Sequence, residues 1–221
     1  MNHGGKYLMV LLGLSLGCDR QIPLPDENPR IIGYEVQGTV TDQIGNPISN
    51  VAVFLDYITN LVGPDTTVTR RYFVPDSSVP VQTIVVNWTK KVIRVLTAPQ
   101  HYFGWYQELW DGKDSTGSVP PSGIYYVEYL VDGTVKFSYN QLVSGGQVAK
   151  TDTNGQYTVP IQYLPVDSAS VPYFSSYDSS YVGNLLITSD VILTFQYLTH
   201  VQQVERSLNK GQVAIVDFVF H

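Results

Sequence analysis

Trp110-Asp111-Gly112-Lys113-Asp114-Ser115-Thr116-Gly117-Ser118-Val119-Pro120-Pro121-Ser122-Gly123-Ile124-Tyr125-Tyr126 decides the fold of this 221-residue chain. Trp110 closes an apolar run, and Gly112 and Gly117 supply the positive φ angles that tight turns need. Asp111, Asp114 and Ser115 carry side chains that bond nearby backbone N–H groups in such turns. Pro120 and Pro121 impose an extended approach, and Gly123 lets the chain bend into the β-rich run Ile124 to Val131. The stretch predicts a strand, a long polar turn and a second strand.

The rest of the chain agrees. Charged residues are only 14 %, while glycine numbers 18, proline 13 and tyrosine 16. That profile suits an exported all-β protein with many turns better than a cytosolic enzyme. With 13 Lys and Arg against 19 Asp and Glu the formal charge is −6, and losing Lys6 with residues 1–18 makes it one unit more negative. So few cations cannot neutralise phosphates, which sets nucleic acid aside as a partner. Tyr34 to Thr41 and Val51 to Leu55 read as strands around a turn at Asp42–Pro47: Val36, Gly38 and Val40 share one face, and Val51, Val53 and Leu55 another. Further strands are predicted at Leu185–Ile187, Val191–Leu198 and Val213–Phe220. The polar run Val201–Lys210 reads as a hairpin loop or one short helix. No 3.6-residue period is sustained anywhere.

At the N-terminus, Lys6 precedes the apolar run Tyr7 to Gly17, and Cys18, the only cysteine, follows. The run is too short to span a bilayer of ~30 Å as a helix but suits a signal-peptide core. The placement of Cys18 resembles the lipobox of bacterial lipoproteins, although Ser15 stands where that motif usually has leucine. The resemblance implies acylation of Cys18 and anchoring in a bacterial cell envelope; the rival reading is ordinary signal cleavage after Gly17, leaving a thiol without a partner. Residues 19–32 (Asp19 onward, with Pro23, Pro25 and Pro29) read as a tether.

Three motifs carry family resemblances. The pattern W-D-G-x-D-x-x-G-x-x-x-P-S-G-x-Y, from Trp110 to Tyr125, resembles the immunoglobulin-like domain of flagellar hook-capping (FlgD-type) proteins. That resemblance implies a first strand at Thr66–Val74, a central hairpin at Val81–Asn87 and Val92–Leu96, and a last strand at Lys136–Val143. Gly38 to Val53, as G-x-V-x-D-x-x-G-x-P-I-x-x-V-x-V, is similar to the carboxypeptidase-regulatory-like (prealbumin-like) β-sandwich family. That family's second signature, T-D-x-x-G-x-Y, stands at Thr151–Tyr157, almost a hundred residues later. Together they imply an all-β chain of two immunoglobulin/prealbumin-like β-sandwiches, the second inserted in the first: residues 33–60 with 146–221 enclosing residues 61–145. Two sandwiches in series are the simpler alternative. The resemblance implies fold rather than flagellar work, since the hook-binding portions of such proteins are absent.

Little in the sequence points to chemistry. His101, His200 and His221 lack partners at metal-ligand spacing, and no H-E-x-x-H, Cys/His cluster or G-x-S-x-G occurs. No catalytic residue, metal or cofactor is expected. Asp111, Asp114 and Ser115 invite a calcium reading, but Lys113 sits where a ligand belongs, so these side chains, like Asp42 and Asp152, are expected to serve their own turns. In the aromatic run His101–Trp110 most rings are expected in a core, with Tyr102 and Trp105 as exposed candidates for stacking on sugars. Tyr173–Tyr181 reads YFSSYDSSY, and Tyr173, Tyr177 and Tyr181 are the other candidates, Tyr giving rigid amphipathic area beside adaptable Ser and Asp; the bland reading is a solvated crossover loop. The function expected is a non-catalytic envelope lipoprotein, a structural or adhesive module for other envelope proteins, with a glycan-binding surface module as the alternative.

Overall fold

Alternation of apolar and polar residues builds the first two strands. In β1 (Glu35–Thr41) Val36 and Val40 turn inward, and in β2 (Ala52–Val62) Val53, Leu55 and Tyr57 do so, while their neighbours stay partly exposed. The computed structural model describes residues 33–64, 68–166, 169–175, 177, 178 and 180–221. The expected signal segment, Cys18 and the tether lie outside the described residues. After β2 come β3 (Tyr72–Val74), β4 (Pro80–Val86), β5 (Val92–His101), β6 (Gly104–Tyr106), β7 (Gly123–Val131) and β8 (Thr134–Val143). Then follow β9 (Gly146–Lys150), β10 (Gln156–Val159), a single 3-10 turn at Ile161–Tyr163, β11 (Ser170–Phe174), β12 (Tyr181–Tyr197), β13 (His200–Ser207), β14 (Val213–Ile215) and β15 (Phe218–Val219). The protein is all-β, with no α-helix among the described residues.

The strands pair in two sets. β1 lies antiparallel to β10, Val36 facing Val159, and parallel to β14 and β15 on its other side. A second sheet runs β11-β12-β2-β9, with β13 also paired to β12. Val36, Val40, Tyr157 and Val159 of the first sheet share one buried cluster with Val53, Leu55, Leu193 and Phe195 of the second, so the two sheets close over a common core. The stretches around Gly38 and Tyr157, 119 residues apart in sequence, are hydrogen-bonded neighbours. Between them in sequence, β5-β4-β7-β8 form one sheet and β3-β6 a two-stranded ribbon. These surround a separate cluster containing Val81, Val85, Tyr106, Trp110, Val127 and Tyr129.

Several expected boundaries shift. The strand expected at Thr66–Val74 shrinks to Tyr72–Val74; Val68 and Thr69 lie outside any strand, and residues 65–67 outside the described ones. Leu185–Ile187 and Val191–Leu198 merge into β12, with a register shift between Ile187 and Val191 where the Thr188 hydroxyl donates to the Ile58 carbonyl at 2.9 Å. Val201–Lys210 is neither loop nor helix up to Ser207 but strand β13, reversed from β12 through Leu198 at φ +53°. Its polarity fits an edge paired only to β12. Val213–Phe220 breaks into two short strands; between them Val216 is buried and the exposed Asp217 accepts the Thr39 N–H at 2.9 Å. The missing side chain of Gly38 admits the Val216 carbonyl oxygen to 2.0 Å from where a Cβ would stand.

One five-residue loop recurs. Asp42–Asn46, Asp114–Ser118 and Asp152–Gln156 each place glycine fourth, at φ +86°, +84° and +70°. In each, the first N–H donates to the fifth carbonyl (2.9, 2.9 and 2.8 Å) and the glycine N–H donates to the aspartate carbonyl (3.1 Å in all three). The carboxylate accepts from the third and fifth N–H groups at 2.8–3.0 Å. These side chains satisfy their own turns, as expected. Hydrogen bonds, from the Asn46 amide first at Asp42 and from the Thr116 hydroxyl first at Asp114, hold both carboxyls below their ordinary 3.8. A depressed folded-state value means the stabilisation is present above about pH 4 and lost as pH falls through it. Thermal melts between pH 7 and pH 2 should show an Asp42→Ala, Asp114→Ala variant less stable than the parent at neutral pH, the gap closing in acid. A gap that ignores pH would refute this.

A fourth copy spans Asn87–Lys91, with Asn87 as the capping side chain and Lys90 at φ +64° where the others have glycine. A left-handed lysine costs about 1 kcal/mol. The ammonium compensates by bonding Glu128 at 2.6 Å, a carboxylate only 8 % exposed, and by lying 4.8 Å from the Tyr126 ring centre. Lys90→Gly should therefore destabilise by about 1–2 kcal/mol despite the relieved backbone, because Glu128 is left buried and unpaired. Urea unfolding would read it, and a stabilised variant would overturn the account.

Candidate functional site

Two aromatic surfaces emerge from this framework. On the β3–β6 ribbon, Phe73 pairs with Trp105 while Tyr72 and Tyr106 flank them on the opposite face. Period two sends Tyr106 into the core and leaves Phe73 and Trp105 outward, with no third strand to cover them. Their ring centres are 5.5 Å apart, and Phe103 adds a third ring 5.9 Å from Phe73. Phe103 and Trp105 are 65 % and 64 % exposed. Tyr102 has a different place: its hydroxyl donates to the Trp105 carbonyl at 2.7 Å and its ring packs edge-on to Tyr106 at 5.0 Å. It braces the turn that carries Trp105. Trp110, expected in the core, is buried against Tyr125, its indole N–H donating to the Lys113 carbonyl at 2.6 Å.

The second surface is a cleft of about 370 Å³ between the edge strands β8 and β11. Asn140, Gln141 and Tyr139 come from β8, Tyr173 and Phe174 from β11, and Arg70 from the segment before β3. The Arg70 guanidinium carbon sits 4.1 Å from the Phe174 ring centre and 5.9 Å from that of Tyr139, a stacking worth about 0.5–2 kcal/mol. Tyr181 packs behind, 5.7 Å from Phe174. Burial pushes the Tyr139 phenol up, with the Arg70 charge opposing it, so the ring stays neutral.

The five aromatic candidates thus divide. Tyr102 and Trp105 belong to the ribbon, Tyr173 to the cleft, Tyr181 to the layer behind Phe174, and Tyr177 to the β11–β12 hairpin tip, where it is 97 % exposed beside Asp178. Asp178 accepts the Ser180 N–H at 3.0 Å, which holds its carboxyl below the ordinary value. Sequence reasoning missed Phe73, Arg70 and Phe174. The first was legible from alternation once its strand was known to be three residues long; the other two meet only in three dimensions.

His101 Nδ1 lies 2.9 Å from the Ser77 carbonyl, and no group of three His, Cys, Asp or Glu side chains among the described residues could hold a metal ion. Asp111 accepts the Lys113 N–H at 3.0 Å and the Arg94 guanidinium at 2.7 Å. No helix among the described residues is long and apolar enough to cross a membrane. Comparison of the chain with protein-family models, with curated proteins and with solved structures finds no match in any of the three.

Proposed function

We propose that the chain is a non-catalytic, lipid-anchored protein of a bacterial cell envelope, acting as a structural or adhesive module on other envelope proteins. The observation that carries the reading is the uncovered patch Phe73, Phe103 and Trp105 on a two-stranded ribbon. Exposed rings grouped in this way mark protein interaction surfaces, where Trp and Tyr anchors dominate binding. The pairing of β1 with β10 and of β2 with β9 and β12 supports a nested arrangement, residues 61–145 forming an immunoglobulin-like sandwich within a carboxypeptidase-regulatory-like one. Cys18 would be acylated and residues 19–32 would lift the folded part from the membrane.

The test has two arms. Tagged full-length protein should fractionate with membranes and Cys18→Ser should release it; an unchanged distribution would refute the anchor. Crosslinking in intact cells should capture an envelope partner, and Phe73→Ala with Trp105→Ala should weaken capture by roughly thirtyfold without lowering the melting temperature. Equal capture would refute the patch. A second reading, a glycan-binding surface module, is favoured by the open indole face of Trp105. It predicts that Tyr102→Ala with Trp105→Ala loses affinity for a neutral polysaccharide in a panel.

A further inference from the structure

The cleft between β8 and β11 holds a loose end. Arg70, on its wall, has a buried Nε with no hydrogen-bond partner among the described residues. Buried polar atoms are nearly always paired, so this orphan donor points to a missing acceptor. Arg70 is also the only charged residue lining the cleft, and it forms no ion pair with a carboxylate among the described residues. An uncompensated cation among aromatic rings, in a protein of net negative charge, is a receptor for an anion.

The walls narrow the choice. Cα atoms of β8 and β11 approach within 8 Å, whereas a peptide strand hydrogen-bonded between them would need about 9.6 Å, twice the strand spacing. An extended peptide does not fit there. The volume lies at the low end of the ~300–1,000 Å³ of small-molecule sites, enough for one or two pyranose rings. The Tyr173 ring offers a face for sugar C–H groups, while the Asn140 amide and the Gln141 amide oxygen, its nitrogen held by the Trp110 carbonyl, offer partners for sugar hydroxyls.

We propose that this cleft binds a carboxylated sugar of the hexuronate class, its carboxylate on Arg70. The inference extends the glycan reading to a site away from the Trp105 ribbon, and it can fail while that reading stands. Calorimetric or ligand-observed NMR titration of the full-length protein with D-galacturonate, D-galactose and acetate tests it. Galacturonate should bind at millimolar concentration or tighter, with galactose and acetate each at least about tenfold weaker. Arg70→Gln should abolish the preference for the acid, while Trp105→Ala should leave galacturonate binding intact. Should Arg70→Gln fold poorly, Asn140→Asp places a like charge in the cleft and should weaken galacturonate at least about tenfold while sparing galactose. No galacturonate binding, acetate binding equally well, or affinity indifferent to both Arg70→Gln and Asn140→Asp would each overturn the assignment.

Discussion

Gly146→Ala should cost the protein about 3 kcal/mol or somewhat more, a large share of the roughly 5–15 kcal/mol that keeps an ordinary domain folded. An added Cβ would stand 2.1 Å from the Pro120 carbonyl oxygen, 2.6 Å from the Ser122 nitrogen and 2.8 Å from the Pro121 carbonyl carbon. All three are backbone atoms, which cannot swing aside as a flexible side chain would. The same spot is tied polar-wise. The Gly146 N–H donates to Ser122 Oγ at 2.8 Å, and that buried hydroxyl donates in turn to the Leu55 carbonyl at 2.5 Å. One serine thus pins the turn before β7 to β2 and β9. Ser122→Ala leaves the Gly146 N–H unmet, while the Leu55 carbonyl keeps the Gly145 N–H at 2.9 Å, and should cost about 1–2 kcal/mol, less than the glycine change. Urea midpoints with an unchanged slope would read both, and a Gly146→Ala protein within 1 kcal/mol of its parent would show the approach to be softer than described.

Tyr129→Ala is the second large effect, expected at about 3–5 kcal/mol. Tyr129 is fully buried, with Tyr106, Phe137 and Tyr139 rings 5.5, 5.4 and 6.4 Å away. Its hydroxyl accepts the Glu108 N–H at 3.0 Å and donates to the Arg70 carbonyl at 2.8 Å. Burial pushes the phenol far up, so it remains a neutral donor at any pH the fold survives. Tyr129→Phe separates packing from polarity: it keeps the ring, should cost about 1–3 kcal/mol, and frees the Arg70 backbone. Calorimetric unfolding distinguishes the two. If the phenylalanine variant were as damaging as alanine, the hydroxyl rather than the ring would hold this core together.

The parts of the fold legible in the sequence are those where local pattern and global position agree. Val36, Val40, Val53 and Leu55 alternate in sequence and are buried in space, and the three D-x-x-G loops close through contacts within five residues. Long-range contacts were out of reach. Arg70 looks like one of two exposed cations before a strand until Phe174, a hundred residues on, comes to lie over it. β13 carries almost no apolar signal, because an edge needs only Val204 against the core. Tyr106 could not be told apart from Trp105 by residue type. Their separation depends on which face of a three-residue strand each occupies, and that of Tyr102 on the turn before it.

The pairing of β1 with β14 and β15 bears on how such a chain reaches its destination. Thr39 and Asp217, 178 residues apart, are hydrogen-bonded, so the first strand lacks a flank until nearly the whole polypeptide has been synthesised. Contacts of such sequence separation form slowly. The sheet of β1, β10, β14 and β15 would therefore stay open through most of translation, as the export proposed above for this protein would require.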